Sequence, residues 1–288
     1  MISNLKNFNA VIKLPQTQDY LDSVLGERKS TFISTLTALV SNDKKLQECT
    51  PVTLMYAALT ATALNLPIDK NLGFSYVIPY KDNRRGISEA QFQLGAKGFI
   101  QLAMNSGQFS RINVTDVRDG ELVGIDRLSG DTTFKWDNSP ERSEKPVIGY
   151  VAFFRLLNGF EKSLYMTKEE IEQHALRYSQ TYASKDDYVR KNSTWTTNFN
   201  AMAQKTVLKR LLSKYAPLSI DMQTAIKADQ SIQREAGNYH YADNDKHQAM
   251  AGLSELAAEN AEAEDVESEE VTDNNEEQNT TNDEKTEQ

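Results

Sequence analysis

The chain of 288 residues has a single cysteine, Cys49, and no long apolar run. One cysteine excludes a disulfide within the chain and is typical of proteins from a reducing compartment. No apolar stretch approaches the roughly 18 residues of a membrane-spanning helix. The N-terminus also lacks the apolar core of a signal peptide. We therefore expect a cytoplasmic protein.

Sequence motifs of the common enzyme classes are also missing. There is no GxxxxGK[ST] loop for nucleotide phosphates and no Gly-rich dinucleotide fingerprint. The three histidines are scattered, and we expect His174 on the surface of a helix. Asp116, Asp119 and Glu121 could serve a Mg²⁺-dependent nuclease, although "RDGE" more simply indicates a turn. We expect no catalytic residue, no metal and no cofactor.

Acidic residues are unevenly distributed along the chain. Residues 232–288 contain 3 Lys/Arg and 17 Asp/Glu, whereas residues 1–231 contain 29 and 24, so that the first part is mildly basic although the whole chain carries −9. The acidic part has few large apolar residues, which predicts disorder. We expect one folded domain over residues 1–231 and a disordered acidic tail over residues 232–288. Such asymmetry favours a polyanionic partner or an interaction tail.

The first third of the chain changes from a helical to a strand period. An arm that is irregular over residues 1–16 precedes a helical pattern from Thr17 to Asn65, in which Thr50 and Pro51 mark one helix start. "GFSYVIPY" and "ISEAQFQL" then alternate with period two, and "KDNRRG" between them predicts a hairpin. Pro79 cannot donate to a strand ladder, so the first strand is expected either at an edge or with a bulge. The hairpin tip is basic, with Lys81, Arg84 and Arg85.

The remaining pattern predicts an α+β fold. "GAKGFIQLAMNSG" indicates a short helix, and strands are expected over Phe109–Val117 and in "DTTFKW". "VIGYVAFFRLL" and "FEKSLYM" flank Asn158-Gly159, which predicts a hairpin whose first strand is central. "TKEE" is a capping box that opens a helix, and another helix is expected from Thr194 to Tyr215. The predicted architecture is an antiparallel sheet with an embedded helix, flanked by N- and C-terminal helices.

The last of these helices is predicted to be basic on one side. Its apolar residues, among them Val207, Leu208 and Leu211, fall within one arc of a helical wheel. The cations on the opposite half are Lys205, Lys209, Arg210 and Lys214. No Asp or Glu occurs from residue 191 to residue 220, so these cations lack acidic partners at i,i+4. A solvated helix face usually mixes both signs, whereas an unmixed cationic face suits phosphate binding.

Other candidate residues surround the embedded helix. Lys97 lies at its start, where free N–H groups favour an anion, and Arg111 lies in the following strand. Gly95 and Gly98 fit either turn geometry or close packing. Trp195, at a polar helix start, is expected either to stack on a base or to seal a subunit contact.

Three segments resemble the phage RecT family of single-strand annealing proteins: "PIDKNLGFSYVIPY", "EAQFQLGAKGFIQLAMNSGQFSRINVTDVRDGE" and "KTVLKRLLSKYAPLS". The resemblance covers roughly residues 50–222. It implies a β-hairpin-and-helix core, binding of single-stranded DNA, and annealing of complementary strands without ATP or a chemical step. It also implies rings or helical filaments, a 5′→3′ exonuclease partner and a location in the bacterial cytoplasm. A host single-strand-binding protein is a further candidate partner.

The resemblance also implies a basic groove for DNA, with the basic helix in it. The candidate DNA contacts are Lys97, Arg111, Lys205, Lys209, Arg210, Lys214, Lys81, Arg84, Arg85, Gln93 and Trp195. Three alternatives stay open: a protein that coats single strands without pairing them, a scaffold that acts only on proteins through its acidic tail, and the nuclease considered above.

Overall fold

The computed structural model describes residues 2–82 and 85–241. Its N-terminal part is helical: α1 Ile2–Ile12, α2 Pro15–Leu25, a 3₁₀ turn Gly26–Arg28, α3 Lys29–Ser41, α4 Lys44–Gln47 and α5 Pro51–Ala63. The prediction of an irregular arm over residues 1–16 is wrong, because Phe8 and Ile12 are buried in the core. The predicted helix start at Thr50 and Pro51 is confirmed.

The predicted hairpin is confirmed as β1 Ser75–Asp82 and β2 Ile87–Leu94. β1 pairs with β2 alone among the named strands, so Pro79 lies at an edge. Val77, Phe92 and Leu94 face the core. On the opposite face Tyr76 lies across from Gln93.

The middle of the chain forms α6 Ala96–Asn105, β3 Phe109–Arg118, β4 Leu122–Ile125, β5 Thr132–Phe134, β6 Val147–Leu156 and β7 Glu161–Thr167. Strands β3, β6 and β7 make an antiparallel sheet with β6 in the centre, as predicted, while β4 and β5 form a separate hairpin. The inner face of β6 buries Tyr150, Ala152 and Phe154. The fold is α+β with several small antiparallel sheets rather than a single one.

The C-terminal part contains α7 Lys168–Tyr178, α8 Asp187–Lys191, α9 Thr194–Thr197, α10 Phe199–Tyr215, α11 Ile220–Ala228, β8 Ile232–Glu235 and β9 Asn238–His240. The capping box that opens α7 is confirmed. The single helix expected from Thr194 to Tyr215 is two helices, because Asn198 leaves helical geometry at φ −146° and ψ 54°. α10 packs on the three-stranded sheet and on α6. No described helix is long and apolar enough to cross a membrane.

Ordered structure continues past the predicted boundary at residue 231. The N–H of Phe92 donates to the carbonyl of Ser231 over 3.1 Å, which attaches this segment to β2. Arg234 then donates two hydrogen bonds of 2.7 Å to the buried carboxylate of Glu89. These long-range contacts leave no local pattern in the sequence. The rest of the predicted tail, from residue 242, lies outside the described residues.

Candidate nucleic-acid interface

The start of α6 lies against the segment that leads into β1, and two glycines permit this contact. A Cβ atom on Gly95 would lie 2.1 Å from the carbonyl oxygen of Gly73, and one on Gly98 would lie 2.2 Å from that of Phe74. The N–H of Gly95 also donates to the carbonyl of Phe74 over 2.8 Å. Close packing, one of the two explanations considered for these glycines, is therefore what the structure shows.

This packing places Lys97 on an open surface beside the hairpin. Its side chain passes close to Gly73, next to the Tyr76 hydroxyl, while Gln93 lies across from Tyr76. α6 begins without a capping side chain and without an acidic residue in its first turn. The positive end of the helix dipole and the Lys97 ammonium therefore add to each other at this point.

The exposed surface continues along α6 to β3. Ile100 and Met104 follow Lys97 at helical spacing and line an open groove of about 580 Å³ together with Arg111 and Phe153. Lys97 and Arg111 are exposed and form no ion pair within the described part of the chain. We call the surface from Gln93 through Lys97 and Met104 to Arg111 the α6 track.

The cations of α10 have a different environment. The Lys205 and Lys209 ammonium groups lie 3.0 Å and 2.7 Å from the two carboxylate oxygens of Asp229, which follows α11. Asp229 also accepts a hydrogen bond of 2.8 Å from the N–H of Leu94. The Lys205 side chain is only 10% exposed. The expectation that Lys205 lies on an open cationic face is therefore corrected, because Asp229 covers the side of α10 on which Lys205 lies.

Electrostatics stabilise this buried triad of Asp229, Lys205 and Lys209. Burial by itself would raise the pKa of Asp229, but the two ammonium charges and the hydrogen bonds outweigh it and hold that pKa at about 2. Burial lowers the pKa of Lys205, although the Asp229 carboxylate opposes this shift. With two ammonium groups and one carboxylate, the triad keeps one positive charge in excess, and Lys209 is the more exposed of its two lysines.

The other candidate cations lie apart from the triad. Arg210 and Lys214 are exposed on α10, with the Lys214 ammonium 5.6 Å from the centre of the Tyr215 ring. Lys81 is exposed near the hairpin tip. Arg85 lies 3.4 Å from the Glu89 carboxylate. Arg84 falls outside the described residues.

Trp195 is buried, with 6% of its surface exposed. Its indole packs against the rings of His174, Tyr182 and Phe199, with centroid distances of 6.4, 6.2 and 5.7 Å. A base cannot reach it in this conformation, so the expectation of an accessible indole is corrected. His174, expected on a helix surface, is half-buried, and its Nδ1 atom is buried without a hydrogen-bond partner among the described residues. Burial, followed by the charges of Arg210 and Lys209, lowers the pKa of His174 to about 3.

The carboxylates considered for a nuclease are held by arginines. Arg118 and Arg142 donate to Asp116, and Arg142 also binds Glu121 through bonds of 2.6 and 3.0 Å. Burial opposes ionisation of both acids, but these arginine contacts keep their pKa values below the ordinary range. Gly120, with φ +82°, forms the turn that "RDGE" predicted. Among the described residues no group of three or more His, Cys, Asp or Glu side chains is arranged to hold a metal ion.

Asp229 decides the environment of α10, although no sequence motif points to it. It lies 20 and 24 positions beyond Lys209 and Lys205, outside the range of any i,i+4 argument. Only its position next to apolar Ala228 at a helix end hints at burial.

The comparisons with known proteins agree with these features. The model of the RecT family matches residues 30–243. The chain is 37% identical over 225 residues to the uncharacterized protein YqaK of Bacillus subtilis (strain 168), covering 78% of this chain and 72% of that protein. It is 28% identical over 237 residues to Protein RecT of Escherichia coli (strain K12), covering 78% and 82%. The match to this family supports a general role in DNA recombination and single-strand annealing. The chain therefore belongs to the RecT family.

Proposed function

We propose that the protein binds single-stranded DNA and anneals complementary strands without ATP. The observation that carries this proposal is the family match over residues 30–243, together with an exposed cationic surface, the α6 track, inside the matched region. A DNA strand needs phosphate partners that are accessible and not already neutralised, and Lys97 and Arg111 meet both conditions.

The phosphate contacts divide by accessibility. Lys97 and Arg111 are the main contacts, and Gln93 adds a polar group at the β2–α6 junction. The remaining accessible cations are secondary contacts: Lys209, Arg210, Lys214, Lys81 and Arg85. Lys205 has a structural role instead, because its ammonium is bound inside the fold.

No chemical step is required of the protein. Base pairing drives annealing, because stacking contributes about 1.4 kcal/mol per base-pair step. The protein has only to reduce repulsion between phosphates and leave the base edges accessible. A nucleotide triphosphate therefore adds nothing to the energetics of the reaction.

Affinity for DNA comes from assembly. Residues 1–231 carry a net charge of only +5, which makes a single subunit a weak electrostatic binder. Copies in a ring or filament would present the α6 track repeatedly to one strand, and each bound copy raises the effective concentration of the next. We further propose that a 5′→3′ exonuclease supplies the single strands in the bacterial cytoplasm, with a host single-strand-binding protein as another partner.

The test uses two complementary oligonucleotides, one with a fluorophore and one with a quencher, without nucleotide. The protein should accelerate quenching well beyond the spontaneous rate, and Lys97→Gln with Arg111→Gln should weaken this acceleration. Binding to each strand without faster pairing would identify a coating protein. Absence of DNA binding at moderate salt would leave a scaffold that acts only on proteins. A strict ATP requirement would contradict the proposal.

A further inference from the structure

The outer face of the three-stranded sheet contains a second cleft. None of the candidate DNA contacts is among the described residues that line it. The β4–β5 hairpin stands beside this face and encloses a volume of about 620 Å³. The walls combine aromatic and small polar side chains, among them Asn113, Thr115, Phe134, Trp136, Phe153 and Ser163. Apolar walls with a few polar groups are typical of ligand sites.

An aromatic pair forms one wall of this cleft. The rings of Phe134 and Trp136 are stacked, with centroids 4.9 Å apart and planes at 23°. Phe134 is in turn held edge-on by Tyr165 at 6.2 Å. Trp136 remains 43% exposed, whereas Trp195 is 6% exposed. Its indole is thus packed against Phe134, and the residue keeps enough exposed surface for contact with a further flat ring.

The charged side chains that line the cleft are all ion-paired. They form five ion pairs: Asp131 with Lys162, Asp137 with Lys145, Glu161 with Arg155, and Arg142 with both Glu121 and Asp116. Among the described residues that line the cleft, a free phosphate therefore finds no unpaired cation and an uncharged ring meets no unpaired acid. The cleft suits a heteroaromatic ring that can also accept and donate hydrogen bonds.

The cleft adjoins the α6 track. Asn113 and Phe153 line both this cleft and the groove that contains Arg111. A strand whose phosphates lie on Lys97 and Arg111 would therefore carry its next bases toward Trp136. We propose that this cleft is a nucleobase site, in which a base of single-stranded DNA stacks on the indole of Trp136. The inference rests on the proposed binding of single-stranded DNA and adds the residue that holds a base.

Fluorescence tests the stacking directly, because the chain has only two tryptophans. Trp195→Phe keeps a ring in the buried cluster and leaves Trp136 as the only indole. Addition of an oligothymidylate to this variant should quench the emission of Trp136, since a stacked base is in contact with the ring. Binding of the oligonucleotide, measured by its anisotropy, without any change in this emission would overturn the proposal and leave the proposed function intact.

Affinity provides the second test. Trp136→Ala should weaken binding of a short oligothymidylate by about 5- to 150-fold, the range for loss of one stacked base, whereas Trp136→Phe should restore most of it. Tyr188→Ala removes a ring that is 78% exposed but does not line the cleft, and it should bind normally. Equal affinity of wild type and Trp136→Ala would overturn the nucleobase site. Failure of the wild type to bind any DNA would overturn the proposed function itself.

Discussion

Lys205 of α10 and Lys97 of α6 occur in similar sequence surroundings but in opposite environments. Neither has an acidic residue within one helical turn. Lys97 lies on an open surface, whereas Lys205 is buried against Asp229, which also holds the N–H of Leu94 at the end of β2. The same buried carboxylate thus ties α10 to the element that leads into α6.

The difference shows that a local absence of acids does not make a cation available to a ligand. α10 is the central helix of the fold and packs on the sheet and on α6. A lysine that is buried on this helix, as Lys205 is, therefore needs an acidic partner. α6 is backed by the core on one side only. The two lysines therefore differ in availability: the Lys205 ammonium is held by Asp229 inside the fold, and Lys97 is exposed, as the proposed phosphate contact requires.

Asp229→Asn should have the largest effect on stability. Removing the carboxylate leaves the buried Lys205 ammonium unpaired, which costs about 3–5 kcal/mol. Urea unfolding should show this as a lower midpoint with an unchanged slope. Lys205→Met should be much milder because Asp229 keeps Lys209 and the Leu94 N–H, and the double variant Lys205→Met, Asp229→Asn should regain stability relative to Asp229→Asn. An equally stable Asp229→Asn would show that the triad is not important.

Gly98→Ala tests the packing that places Lys97 at the surface. Helix propensity alone predicts that the free energy of unfolding of Gly98→Ala rises by about 1 kcal/mol. The new methyl group, however, would lie 2.2 Å from a backbone oxygen, and we expect a loss of about 1–3 kcal/mol from overpacking. Gly124→Ala is the control because its Cβ would meet no atom within 4 Å. A more stable Gly98→Ala protein would refute the close contact.

Acid should weaken the α10 region through Asp229. The folded pKa of about 2 lies below the ordinary value of 3.8. The contribution of Asp229 to the free energy of unfolding is therefore complete above about pH 4 and is lost as the pH falls toward 2. This contribution is on the order of 2 kcal/mol. The difference in unfolding free energy between wild type and Asp229→Asn should shrink over this window. A constant difference would mean that Asp229 does not titrate there.

Removal of residues 242–288 should have the smallest effect. These residues carry 2 Lys/Arg and 16 Asp/Glu, and a tethered polyanion competes with DNA for a basic surface. Truncation after Tyr241 should tighten DNA binding severalfold at low salt, and the gain should vanish at high salt because charges are screened. The cut must not fall earlier, since Arg234 binds Glu89. Identical salt curves would show that this segment only solubilises the protein.

Local patterns in the sequence predicted most of the elements, including the β1–β2 hairpin, the central position of β6 and the capping box of α7. These features depend on neighbouring residues, which the sequence displays directly. The α1 helix, the break at Asn198 and the β8–β9 hairpin were missed because tertiary contacts decide them.

Tertiary contacts also limit what the sequence predicts about the candidate site. Lys97 and Arg111 could be predicted as accessible cations, since they lie at the start of a helix and on an amphipathic strand. The burial of Lys205 and Trp195 could not, because it depends on Asp229 and on rings from α7 and the 179–186 loop. The cleft at Trp136 arises only when β4 and β5 fold beside the sheet.

The most direct test of this account is the salt dependence of single-stranded DNA binding in two variants. Lys97→Gln with Arg111→Gln should reduce the slope of log affinity against log salt by about 1.4, because each lost phosphate contact to a single strand removes about 0.7. Lys205→Met should keep the wild-type slope, since its ammonium is already bound to Asp229. An unchanged slope in the folded double variant, or a reduced slope in Lys205→Met, would contradict the assignment of DNA binding to the α6 track.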